Sequence, residues 1–357
     1  MIRPRGSLPA AAPAPAVRQL VPRPARIAHV SASIRTLRLL ALAVALPVVM
    51  LAALCIGSVP VPVGEVWQAL LHPNLAPAHV IVIDLRLPRV LIAAGVGAGL
   101  GVAGALLQAL FRNPLVDPFV TGVSAGAALA AAVGMTLGLS FGVIPALAFV
   151  GGLACAGIVT AIGAGDSPSG NLRLVLAGVA VSALASSIVT LVLLQHAGGS
   201  NLSILAWLAG GLNGRGWSDL GPMAAYLGVG GVLALAQVHA VNVLRLGASA
   251  ARGLGLALDA TRWQLLAIAS LITAACVAVS GVVGFVGLMV PHGVRRLISG
   301  DARWLLPGSA IAGAVVVVVA DLLARTVLAP AEVPLGVLLA FVGVPFFLLL
   351  ARRPVEL

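Results

Sequence analysis

The chain contains no lysine; all 21 of its basic residues are arginine. That absence excludes a Walker A phosphate loop and a Schiff-base nucleophile, so the chain by itself is neither a P-loop ATPase nor a lysine-dependent enzyme. Charge of any kind is scarce. Charged residues make up 9% of the 357 positions, where a soluble domain carries about 25%. The three cysteines, Cys55, Cys155 and Cys276, lie far apart in apolar runs without a CxxC pair. They read as small core residues, not as a metal or disulfide set. HExxH zinc sites, Cys/His clusters and paired intramembrane carboxylates are also missing.

What remains is apolar. Hydrophobic residues account for 61% of the chain, a composition that indicates a polytopic membrane protein. The formal charge of +11, carried by so apolar a chain, suits anchoring on anionic lipid and fixing topology; nucleic acid is not implied. Residues 1–35 are rich in Ala, Pro and Arg, lack acids and show no cleavable-signal order. They read as a disordered basic cytoplasmic tail.

Ten runs are long enough to span: 36–57, 89–111, 118–138, 141–163, 172–195, 219–242, 263–280, 282–299, 305–325 and 334–351. A stretch around 201–212 is too short to cross and lies between the fifth and sixth. With both termini inside, 17 arginines are cytoplasmic and four, Arg86, Arg89, Arg215 and Arg325, lie outside. The reverse orientation inverts those numbers, so the arginine bias selects N-in, C-in. The expected fold is an all-α polytopic bundle of about ten transmembrane helices. Glycines cluster in GVGAGLGVAG (95–104) and GVSAG (122–126), spacings that let helix backbones approach closely.

Four segments carry a resemblance: RLPRVL…GAGLGVAGALLQALFRNPLVDPFVTGVSAGAAL (86–129), LRLGASAARGLGL (244–256), SGVVGFVGLMVPHGVRRLISGD (280–301) and ADLLARTVLAPAEVPLGVLLAFVGVPFFLLLARR (320–353). In this order and spacing they resemble the FecCD-type permeases, over about residues 38–353. These are membrane subunits of ABC importers for iron–siderophores, haem and cobalamin. The resemblance implies a type II, cobalamin-permease-like fold (36–353) in the bacterial cytoplasmic membrane. It implies a homodimer or close heterodimer with a second permease subunit, two ATP-binding subunits inside and a substrate-binding protein outside. No cofactor is expected in this chain; Mg-ATP belongs to the partner ATPase. Iron–siderophore is the expected cargo, with cobalamin or haem as alternatives. A stand-alone secondary transporter is the rival class, but it needs coupling charges near the midplane.

By the same resemblance Arg86, Arg89 and Arg325 match positions that meet acidic residues of the binding protein. Read from the residues alone, Arg86 and Arg89 serve equally as a helix entry or a lipid anchor. Asp321, four residues before Arg325, shares its helix face and orients it or simply pairs with it. Gly247, Ala251 and Gly255 fall at i, i+4 and i+8, a smooth helical face beside Arg252. By resemblance, 244–262 is the coupling segment that receives movement from the ATPase; the plain reading is an amphipathic connector. Asn113 and Pro114 belong to a cytoplasmic turn. Pro291 and His292 sit near the inner face, the histidine as a cap or a buried hydrogen-bonding group. Glu332 is read as a carboxylate at the last helix's N-terminus.

Overall fold

A computed structural model describes residues 32–72, 78–140, 142–163, 170–195 and 200–351, and every regular element among them is helical. The expected tail lies outside the described residues up to position 31, as do Arg352 and Arg353. The elements are α1 (Ala32–Cys55), α2 (Val63–Leu71), α3 (Val80–Phe111), α4 (Val123–Thr136), α5 (Ile144–Gly163), α6 (Gly170–Gln195), α7 (Ser200–Leu208), α8 (Trp217–Ala236), α9 (Val238–Leu244), α10 (Ala248–Gly253), α11 (Leu258–Ser280), α12 (Val286–Leu297), α13 (Ala302–Ala324) and α14 (Leu335–Ala351). The first turns of α3, Val80–Arg86, are π-helical.

Seven of these helices, α1, α3, α5, α6, α8, α11 and α13, are long and apolar enough to cross a membrane. The shorter α4, α12 and α14 occupy the other three expected positions. α12 departs furthest from expectation. Its 12 residues reach only about 18 Å at 1.5 Å per residue, well short of a hydrocarbon core of about 30 Å. Residues 281–285 are not helical, because Gly281 (φ +66°) and Phe285 (φ +67°) both adopt left-handed backbone. Gly281 also approaches α7 so closely that a Cβ there would sit 2.2 Å from the Trp207 carbonyl oxygen. Only glycine tolerates both conditions.

α3 and α11 form the enclosed centre, while α1 and α8 expose most of their surface. The glycine run of α3 explains how the centre closes. A Cβ on Gly97 would lie 2.1 Å from the Gly313 carbonyl oxygen of α13, and one on Gly313 equally close to that of Gly97. One and two turns along, Gly101 and Gly104 meet the backbones of Ser309 and Gly287 in the same way. Lipid offers no hydrophobic drive between helices, so backbone-to-backbone dispersion contact supplies the cohesion.

Polar side chains gather at the two ends. One end holds Arg38, Gln108, Asn242, Arg245, Arg295 and Asp301, whose mutual and backbone hydrogen bonds link α1, α3, α9, α12 and α13. The other holds Arg86, Arg89, Arg325, Asp321 and Glu332. These are the inner and outer sets that the arginine bias separated.

Candidate functional site

The outer end is a buried charge cluster. α1 stops at Cys55, so the carbonyls of Ala53 and Leu54 have no helical donor. Arg86 Nη1 donates to the Leu54 oxygen at 2.6 Å and to that of Cys55 at 3.2 Å, and its Nη2 reaches the Val59 oxygen. Arg325 Nη2 donates to the Ala53 oxygen. Two guanidiniums thus close the C-terminus of α1, where cations are favoured by the helix dipole.

Arg89 lies between two carboxylates. Its Nε and Nη2 donate to Asp321 Oδ1 at 3.0 and 2.9 Å, and its Nη1 and Nη2 donate to Glu332 Oε1 and Oε2, both at 3.0 Å. Such two-sided, bidentate pairing uses the planar fork of arginine fully. Asp321 is 2% exposed and Glu332 about a third.

This geometry corrects three expectations. Arg86 and Arg325 are 7% and 6% exposed and are turned toward backbone carbonyls, so neither presents a free guanidinium to a docking partner. Asp321 holds Arg89 foremost; its contact with Arg325 Nε is 3.8 Å, too long for a hydrogen bond. Glu332 precedes α14 by three residues and pairs with Arg89 instead of capping the helix.

At the inner end, the expected smooth face on 247–255 does not form. α10 covers only Ala248–Gly253, and Gly247 (φ +103°) and Gly255 (φ +80°) flank it in left-handed conformations. Ala251 is fully buried. The exposed surface of the segment includes Arg252 with Leu246 and Leu254, both leucines about two-thirds exposed.

Asn113 and Pro114 form the expected turn, with Asn113 Oδ1 accepting from the Leu115 amide at 2.9 Å. Asp117 caps the short 3-10 turn 118–121, accepting from the Phe119 amide at 3.1 Å. Burial pushes its carboxyl up to about 6 against the pull of the Phe119 and Leu288 amides. Pro291 and His292 lie inside α12. His292 neither caps a helix nor bonds through Nε2, and its ring stands edge-on to Phe346 at 6.0 Å.

Asp117 also borders a cavity of about 450 Å3. Its other walls include Phe119, Ala209, Val282, Phe285 and Val337, drawn from the end of α7, the α11–α12 link and the outer half of α14. Nothing in the sequence pattern marks this cavity, because its walls come from four separate stretches, 117–119, 208–209, 282–288 and 336–340.

GVSAG fits the letters of a GxSxG nucleophile motif, yet the chemistry of that motif is absent. Ser124 is buried in the first turn of α4 with an unpartnered hydroxyl, and among the described residues no strand precedes it. Among the described residues no group of His, Cys, Asp or Glu is placed to hold a metal.

A helical membrane bundle with an apolar-walled cavity, and with most of its charged side chains gathered at the two ends, has the build of a transport protein. The chain belongs to the FecCD transport family, which it matches over residues 45–353. It is therefore a multi-pass protein of the cytoplasmic membrane and a permease subunit of the ABC importer type. It is 38% identical over 317 residues to the iron(3+)-hydroxamate import system permease of Bacillus subtilis, covering 84% of this chain and 79% of that one. It is 40% identical over 332 residues to the cobalamin import system permease of Halobacterium salinarum, covering 90% and 89%. A solved structure described as a metal-chelate type ABC transporter, in an inward-facing conformation, superposes with a TM-score of 0.80 at 29% identity, covering 89% of this chain and all of that one.

Proposed function

We propose that this chain forms the membrane path of an ATP-driven importer for ferric siderophores. The observation that carries the reading is the family match along nearly the whole bundle, together with a cavity bounded by uncharged walls and one carboxyl. Relatives named for iron(3+)-hydroxamate and for ferric dicitrate support iron chelates as cargo. Relatives named for cobalamin and hemin make those the alternatives. A second permease copy or a close partner completes the path. Two ATP-binding subunits supply hydrolysis, and the exposed Leu246, Arg252 and Leu254 beside α10 form the cytoplasmic surface on which one of them acts. A substrate-binding protein docks at the outer end through Arg89, whose outer edge is held by the partly exposed Glu332.

Against a stand-alone secondary transporter stands the placement of charge. Asp321 is the one carboxylate buried inside a long span among the described residues. It sits near the outer end bound to Arg89, where a coupling ion would have to compete with a guanidinium.

Uptake of labelled ferric hydroxamate, ferric citrate, hemin and cobalamin in cells lacking the chain, with and without its restoration, tests the reading. Selective loss of a ferric chelate is expected. Selective loss of cobalamin or hemin uptake would replace the cargo and keep the class.

A further inference from the structure

The outer cluster contains three guanidiniums, Arg86, Arg89 and Arg325, and two carboxylates, Asp321 and Glu332, which leaves one positive charge in surplus. Arg325 Nε is buried without a hydrogen-bond partner. Of the two carboxylates only Glu332 lies at the rim. Asp321 grips the inner edge of Arg89, while Glu332 takes the Nη1/Nη2 edge that faces out. Glu332 belongs to the link between α13 and α14. Three residues on, α14 begins, and its Gly336, Val337 and Ala340 line the cavity.

We infer that Glu332 is an internal competitor for docking, a carboxylate that occupies the outer edge of Arg89 and is displaced by an acidic side chain of the substrate-binding protein. This rests on the docking reading given above. The surplus charge attracts an incoming carboxylate even while Glu332 is in place, and Asp321 keeps Arg89 in position throughout the exchange. Displacement frees the α13–α14 link, so arrival of the partner outside loosens the end of the helix that walls the cavity. An exposed ion pair is worth little by itself. The exchange is therefore near balance and reversible, as a partner that delivers and departs requires.

The test uses the assembled importer in lipid nanodiscs and the purified binding protein for whichever chelate the uptake assay selects. Glu332→Gln is expected to tighten docking about two- to fivefold, the range an exposed pair commands. Glu332→Asp, which keeps the charge on a shorter arm, is expected to fall between Gln and the native residue. Arg89→Gln is expected to weaken docking strongly. Co-purification of the ATP-binding subunit checks that each variant is assembled. If Arg89→Gln weakens docking while both Glu332 variants leave it unchanged or weaker, the exchange is overturned and the docking reading stands. If Arg89→Gln leaves docking unchanged, the docking reading itself fails and the exchange with it.

Discussion

Arg89 and Asp321 stand 232 residues apart in the chain and 2.9 Å apart in space. The contact fastens the start of α3 to the end of α13 in surroundings where an unmatched charge is costly. Removing one partner of a buried pair leaves the other uncompensated, at a cost of about 3–5 kcal/mol. Asp321→Ala should therefore lower the melting temperature in detergent and the folded yield. The double variant Arg89→Met/Asp321→Leu should recover much of that loss. A double variant as unstable as the single one would show that the pair is not what holds this end together.

Gly97→Leu should abolish folded protein, because its Cβ alone would meet the Gly313 carbonyl at 2.1 Å. Overpacking a well-filled site costs about 1–3 kcal/mol where side chains can yield; here the neighbour is backbone and cannot. Gly64→Ala, with open space around it, should be neutral. Fluorescence-detected gel filtration of both variants distinguishes them directly.

Two carboxyls outside the spans should respond to pH in opposite directions. Burial raises Asp117 from the usual 3.8 to about 6. Its folded form prefers the proton, and its contribution to stability declines as pH rises from about 4 to 6. Burial also acts to raise Asp301, but the Arg303 amide, Asn242 and the charges of Arg303 and Arg245 outweigh it and hold the carboxyl below 3.8. That contribution is present above the usual value and is lost as pH falls through the depressed one. Asp117→Asn should thus raise thermal stability at pH 7.5 relative to pH 4.5. Asp301→Asn should lower it at neutral pH and flatten the acid limb. Melts across pH 3 to 8 on both variants check the signs.

Leu246→Asp/Leu254→Asp should leave the permease folded, since both side chains are exposed, yet reduce its retention of the ATP-binding subunit. Ala251→Leu should instead destabilise the permease, because Ala251 is buried. Co-purification read beside thermal stability separates the two effects. Full retention with the aspartates would remove this surface from ATPase contact.

Much of the bundle was legible in the sequence. Span length and apolarity are local properties, and arginine counts need no partner, so the order of helices and the identity of the two ends could be read from composition. The small-residue runs of α3 likewise announced close packing. The cluster was only half legible. Asp321 and Arg325 look like a pair because they are four residues apart, yet Arg89, approaching from another helix, offers a better fork. Arg86 appeared free because its acceptors are backbone oxygens, and those leave no mark in a sequence. Gly247, Ala251 and Gly255 fit a helical period, but two of them adopt left-handed backbone and end the helix they were meant to line.

The interlock of Gly97 with Gly313 has a consequence for how such a molecule can move. Two backbones in direct contact have no side chains to slide on, so α3 and α13 turn as one solid piece, clamped again at the rim by Arg89. Gly126 and Gly151 join α4 to α5 in the same manner. Whatever rocking admits a cargo must then hinge at the seams between these cassettes. Along one such seam the broken backbone of 281–285 and the first turns of α14 already stand beside open space.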